Sequence, residues 1–199
     1  ILLVILELTV IRLSWTFNFD FRQYEMAGVI WVIGWCMIAM AALVKLPVRA
    51  VAAIGLIIIF GHNLLDGQLF TVAETLGNDV RSILWKVLYV GFFAPPVQLT
   101  PQGPNLFVLY TFFPWIGVMA AGYALGWVLT LAPARRNRIC LAIGLLAIGL
   151  FLVLRGFNLY GDPFPWSAPD PQAEGQQLPA VLSFLNTNKY PASLLFLLM

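Results

Sequence analysis

Charge is what this sequence lacks most. Only 10% of its 199 residues are Asp, Glu, Lys or Arg, against roughly 25% in an ordinary soluble domain. Eleven basic and nine acidic side chains cannot clothe the surface of a soluble globule, which excludes a soluble enzyme and a disordered tail. A net charge of +2 is too small for a phosphate-binding surface, so no nucleic-acid partner is expected. Histidine occurs once, as His62, and cysteine twice, as Cys36 and Cys140, each within an apolar run. No paired-cysteine spacing points to zinc, haem or a disulfide framework, and no metal site is expected. The start has no basic region followed by a small-residue cleavage site, so it does not read as a signal peptide. The chain opens inside ILLVILELTVIRL and closes inside PASLLFLLM, which predicts an internal piece of a longer membrane protein.

What is abundant is apolar length. Hydrophobic residues make up 61% of the chain, and about 20 consecutive ones suffice to span a bilayer core about 30 Å thick. Six segments qualify as spans: 1–19, 26–44, 48–65, 106–131, 139–160, and a last one over 190–199. The expected fold is therefore all-α, a single polytopic transmembrane helix bundle over 1–199 with about six visible spans, part of a larger bundle. The loops that would share one face, 45–49 and 132–138, hold Lys45, Arg49, Arg135, Arg136 and Arg138 with no acid. Those on the other face hold five basic residues against eight acids, namely Asp20, Glu25, Asp66, Glu74, Asp79, Asp162, Asp170 and Glu174. Positive residues collect on the cytoplasmic side, so the PARRNR loop is expected there and loops 66–105 and 161–189 on the non-cytoplasmic side. Within 80–93, Val80, Ile83, Leu84, Val87 and Leu88 recur at helical spacing, with Arg81 and Lys86 on other faces. That pattern predicts a helix lying in the membrane interface, or else a seventh, short span. No internal repeat signals a transporter's inverted halves.

Few polar residues remain to be explained. Glu7 and Arg12 sit at membrane depth, where a charge costs about 2.5–3.5 kcal/mol and is usually paired or functional. Five positions apart on a helix they point about 140° from one another, so each is expected to find its own partner, in a polar cavity or in a structural pair. In GHNLLDG, residues 61–67, His62 and Asp66 share a helix face, with Asn63 beside them. A histidine near a carboxylate suits general acid–base catalysis, which makes His62 and Asp66 the candidate catalytic residues. The plain alternative is a polar cluster that caps a helix end. Asn186 and Lys189 in NTNKYPAS, and Trp15, Asn18 and Asp20 in SWTFNFDFRQYE, reach the same mouth and have the composition of a carbohydrate or anion subsite. The alternatives there are a helix entry with a snorkelling lysine and an ordinary aromatic belt.

Five stretches taken together carry a resemblance: ELTVIRLSWTFNFD, VIWVIGWCMIAMAAL, GHNLLDG, LYTFFPWIGVMAAGYALG and NTNKYPASLLFLLM. In that order they resemble the bacterial membrane proteins grouped with the catalytic domain of heparan-α-glucosaminide N-acetyltransferase. The resemblance implies a transmembrane acyltransferase with acetyl-CoA as donor and no permanently bound cofactor. Arg135, Arg136 and Arg138 would meet the CoA phosphates, and Asn63, Glu7, Arg12, Trp15, Asn18, Asp20, Asn186 and Lys189 would line the acceptor side. The implied setting is a bacterial inner membrane, with the bilayer, a glycan or amino-sugar acceptor, and membrane-protein partners or a second copy as associates. The family's active-site histidine belongs to a loop that would precede Ile1, so His62 does not inherit that role from the resemblance. The competing reading is a non-enzymatic scaffold subunit of a larger membrane complex.

Overall fold

The computed structural model describes residues 1–167 and 179–199, and for residues 68–70 the backbone alone. Asp170 and Glu174, two of the acids in the charge count, lie outside the described residues.

The chain is mostly helical. Residues 2–16 form one rod, α-helical at Leu2–Leu6 (α1), π-helical at Glu7–Ile11 and α-helical again at Arg12–Thr16 (α2). Strand β1 (Tyr24–Ala27) precedes α3 (Val29–Leu43). Next come α4 (Val48–Gly61), a 3-10 turn at His62–Leu65, and α5 (Asp66–Val72). Then follow α6 (Val80–Trp85), strands β2 (Val97–Gln98) and β3 (Asn105–Val108), α7 (Phe112–Leu129) and α8 (Pro133–Gly156). Two short helices, α9 (Ala180–Leu185) and α10 (Leu194–Leu198), complete it.

Among the described residues, three helices are long and apolar enough to cross a membrane: Val48–Leu65, Phe112–Leu129 and Pro133–Gly156. The other three expected spans are shorter. Helix α3 has 15 residues, about 22 Å of rise. The first segment leaves the helix at Phe17, which adopts a left-handed conformation. The last opens with a turn around the cis Tyr190–Pro191 bond before five helical residues.

The fold is not purely helical either. The expected starts of two spans, at Met26 and Leu106, are drawn into a three-stranded sheet ordered β1-β3-β2. In it β1 runs parallel to β3 (Glu25 opposite Leu106, Ala27 opposite Val108), and β2 runs antiparallel to β3. No local pattern announces such pairing, because the partners are some eighty positions apart.

The core lies between α3, α4 and α7, where Trp31, Val32, Cys36, Met40, Val51, Ile116 and Ala120 pack with Ala27 and Val108 of the sheet. Helices α4 and α7 run antiparallel and touch through glycine. A Cβ on Gly55 would stand 2.7 Å from the Ala121 nitrogen, and one on Gly117 would stand 2.8 Å from Ile58. Close backbone approach through small residues is the usual device where apolar helices cannot gain from expelling water. Of the three long apolar helices α8 is the least covered, with Leu141, Leu145, Leu146, Ile148 and Leu152 exposed.

The expected interfacial segment is helical over 80–93, and of its expected apolar stripe Ile83, Val87 and Leu88 are half-buried, with Val87 packed against the core. Ser82, Lys86, Tyr89 and Val90 point inward, while Val80 and Leu84 are exposed. The polar groups turn inward because they find partners there. Asp79 caps α6 through the Ser82 N–H, and Tyr89 donates to Asp66. Lys86, 2% exposed, reaches the Pro96 carbonyl at 3.5 Å. Exposed Val80 and Leu84 carry no comparable penalty in an apolar surround.

Candidate functional site

The two buried charges of the first rod, Glu7 and Arg12, serve separate ends. Helix α3 starts at Gly28 without a side-chain cap of its own. Glu7, 5% exposed, supplies the cap from the neighbouring rod: its Oε2 accepts the Ile30 N–H at 2.7 Å and the Trp31 N–H at 3.2 Å. A carboxylate at a helix N-terminus also meets the positive end of the helix dipole. Gly28 is required there, since a Cβ would collide with Glu7 Oε1. Arg12 is buried and gathers the loop that follows it. Its guanidinium donates to the carbonyls of Asn18, Asp20 and Tyr24 and stacks over the Phe21 and Tyr24 rings at 4.6 and 5.0 Å. Trp15 is 76% exposed. Asn18 and Asp20 form consecutive Asx turns, with Asn18 Oδ1 accepting from the Asp20 N–H and Asp20 Oδ1 from the Arg22 N–H.

Arg135, Arg136 and Arg138 sit on the first turns of α8, near the end of the bundle where α3 joins α4 through Lys45 and α7 joins α8. Arg136 Nε donates to Asn137 Oδ1 at 3.4 Å. Three cations at a helix N-terminus oppose the helix dipole, so helix stability does not account for them.

The opposite end brings GHNLLDG and NTNKYPAS together. His62, 5% exposed, has Nε2 at 2.9 Å from the Ala192 carbonyl and Nδ1 at 3.0 and 2.9 Å from the carbonyls of Ile58 and Ile59. A carbonyl only accepts hydrogen bonds, so each ring nitrogen is seated against an acceptor and neither offers a lone pair outward. Asn63 bridges the two stretches: its Oδ1 accepts the Leu194 N–H at 2.8 Å and its Nδ2 donates to Asp66 Oδ2 at 2.7 Å. The other oxygen of Asp66 accepts from the Tyr89 phenol. Asp66 therefore bonds to Asn63 and Tyr89 rather than to His62, and it is half-buried where His62 is buried. Burial pushes its carboxyl above the usual value, opposed by the Tyr89 and Asn63 hydrogen bonds and by His62. Burial and the Asp66 acceptor both raise the Tyr89 phenol.

A second knot lies alongside. Arg155 donates to the carbonyls of Phe164, Ser183, Phe184 and Asn186 and stands 3.7 Å from Asp162. Asp162 accepts the Asn188 N–H at 2.9 Å and the Ser193 hydroxyl at 3.3 Å. Tyr160 ties α8 to α4 by donating to the Phe60 carbonyl at 2.7 Å. Burial raises the Asp162 carboxyl, while the Asn188 and Phe164 N–H groups and Arg155 work against the rise. Asn186 and Lys189 are exposed on this loop.

Tyr89, Arg155 and Asp162 are the members of this end that sequence reading passed over. The spacing Ser82–Lys86–Tyr89 is itself helical and could have marked an inward polar face. Among the described residues no group of three or more His, Cys, Asp or Glu side chains could hold a metal ion. Comparison of the chain with protein-family models, with curated proteins and with solved structures gives no match.

Proposed function

We propose that this chain is an integral membrane acyltransferase that takes an acetyl group from cytoplasmic acetyl-CoA and delivers it to a sugar or amino-sugar acceptor at the non-cytoplasmic face of a bacterial inner membrane. One observation carries the reading: the polar junction of GHNLLDG with NTNKYPAS stands at one end of an apolar bundle whose other end bears Lys45, Arg49, Arg135, Arg136 and Arg138. With the basic end in the cytoplasm, the arginines meet the CoA phosphates and the acceptor enters at the junction. Asp66, half-buried and hydrogen-bonded by Asn63 and Tyr89, is the base. The acceptor's amine or hydroxyl attacks the thioester carbonyl, and its proton passes to the Asp66 carboxylate. The C–S bond breaks, and the departing CoA thiolate takes up that proton. His62 is a positioning residue that locks Ala192 in place and, through the same turn, Asn63 and Asp66. Trp15, Asn18 and Asp20 offer an aromatic and polar flank to a sugar, on the loop that Arg12 holds.

The test is transfer of radiolabel from acetyl-CoA to glucosamine by the purified full-length protein. Asp66→Asn is expected to lower transfer by about 10²–10⁴-fold. Tyr89→Phe removes a hydrogen bond that favours ionised Asp66, so the acid limb of the pH–rate profile moves to higher pH. Undiminished transfer by Asp66→Asn refutes the assignment. The scaffold reading draws on His62, whose nitrogens are both taken up by backbone; inertness toward acetyl-CoA together with stably co-purifying partners is its signature.

A further inference from the structure

Beside the junction, on its outer rim, three side chains converge that the proposed chemistry does not use, one of them, Tyr110, also packing against the core. The Lys189 ammonium lies 5.2 Å from the centre of the Tyr190 ring and 5.8 Å from that of Tyr110. The two phenolic oxygens are 3.5 Å apart, and the rings meet edge to face at 5.2 Å. Trp115 braces Tyr110 from its other side at 5.4 Å. Lys189 is exposed, and among the described residues it forms no ion pair, whereas Arg155 pairs with Asp162. Asp162, which accepts from the neighbouring Asn188 N–H, is buried and engaged by Arg155, so its charge is turned away from Lys189.

Tyr110 also directly precedes the start of α7, an 18-residue helix. Its N-cap, Thr111, makes no side-chain cap, and the fully buried Thr111 Oγ1 has no partner among the described residues. Position N3 is Pro114, which has no N–H to cap. The first N–H groups of α7, at Phe112 and Phe113, thus lie at the positive end of a long helix with no side-chain cap from Thr111. The ammonium and the two phenols bond to one another, yet three ammonium and two phenol hydrogens face only two phenol oxygens, and the uncapped helix start adds further donors.

We infer that Lys189, Tyr110 and Tyr190, at the start of α7, bind a phosphate group, carried by a lipid headgroup or by a soluble phosphate ester. Lysine is a point charge suited to phosphate, and phenols donate to its oxygens while their rings hold the ammonium in place. The Tyr190 phenol is held below its usual value, first by the Tyr110 hydrogen bond and then by Lys189, and the two phenols hold the Lys189 ammonium above its own. The site stands whether or not the mouth performs acyl transfer.

The test uses the purified full-length protein in two arms. In detergent, inorganic phosphate is titrated against Trp fluorescence and melting temperature. In nanodiscs, melting is compared between phosphatidylglycerol and phosphatidylcholine at fixed ionic strength, with sodium sulfate and sodium chloride as salt controls. Saturable binding in either arm that weakens about tenfold in Lys189→Gln, and several-fold in Tyr110→Phe or Tyr190→Phe, supports the site. The arm that responds identifies the source of the phosphate. Lys189 is exposed, so Lys189→Gln is expected to melt like the parent without ligand, and Lys189→Arg to keep most of the affinity. Failure of both arms, or binding indifferent to Lys189→Gln, overturns the inference.

Discussion

Replacing Gly55 by alanine inserts a methyl group where α4 and α7 touch. Its Cβ would stand 2.7 Å from the Ala121 nitrogen, 2.9 Å from the Gly117 oxygen and 3.2 Å from the Ala120 carbonyl carbon. All three are backbone atoms of a helix, so no side-chain rotation relieves the overlap. The helices must part by about half an ångström or more, since ordinary carbon contacts lie near 3.5–4.0 Å. Parting also loosens Gly117 against Ile58 and the core around Val51 and Ala120. Overpacking of this kind costs about 1–3 kcal/mol, and the better helix propensity of alanine returns at most about 1 kcal/mol. Net destabilisation by about 1–2 kcal/mol is expected. Gly122 on the same α7 is the control, because a Cβ there would meet nothing within 4 Å, and Gly122→Ala is expected to be neutral or slightly stabilising. The assay is reversible unfolding in mixed micelles with increasing dodecyl sulfate, followed by Trp fluorescence. Equal stability of Gly55→Ala and Gly122→Ala would refute the close α4–α7 contact.

Two further predictions concern buried carboxylates, read by the same unfolding assay. Glu7→Ala removes the cap of α3 and should cost about 1–2 kcal/mol. Gly28→Ala alone should also destabilise, through collision with Glu7 Oε1, yet cost markedly less on the Glu7→Ala background; strict additivity would show that the two residues do not touch. Glu25 is buried, its Oε2 has no partner among the described residues, and burial raises its carboxyl above the usual 4.5 despite the opposing influence of Arg12. Below the ordinary value both folded and unfolded states hold the proton and the site carries no penalty. As pH rises through 4.5 toward the raised folded value, the unfolded state ionises first and stability is lost. Glu25→Gln should therefore be more stable than the parent at pH 7 and indistinguishable near pH 3, and an unchanged pH slope across pH 4–7 would sink the idea.

Much of this protein was legible in its residues one neighbourhood at a time. The runs 48–65 and 112–129 and the apolar length after PARRNR declare spanning helices because bilayer partition depends on local composition and length alone. The grouping of Lys45, Arg49, Arg135, Arg136 and Arg138 at one end follows from counting alternate loops. The separate fates of Glu7 and Arg12 follow from their helical spacing. What the residues could not declare is which distant group each polar side chain meets. His62 beside Asp66 reads as a pair, yet each bonds elsewhere, to Ala192 and to Tyr89. The 80–93 helix turns Lys86 and Tyr89 inward beside half-buried Val87, because their partners wait inside. The strands at 24–27 and 105–108 exist only as a pair, and Gly55 looks like any helical glycine until α7 arrives. Local sequence settles what a segment can become, since hydropathy and helix spacing act over a few turns. Only the tertiary structure decides the partners of buried polar and small residues, because an unmet hydrogen bond in an apolar interior costs more than the packing preference of one side chain.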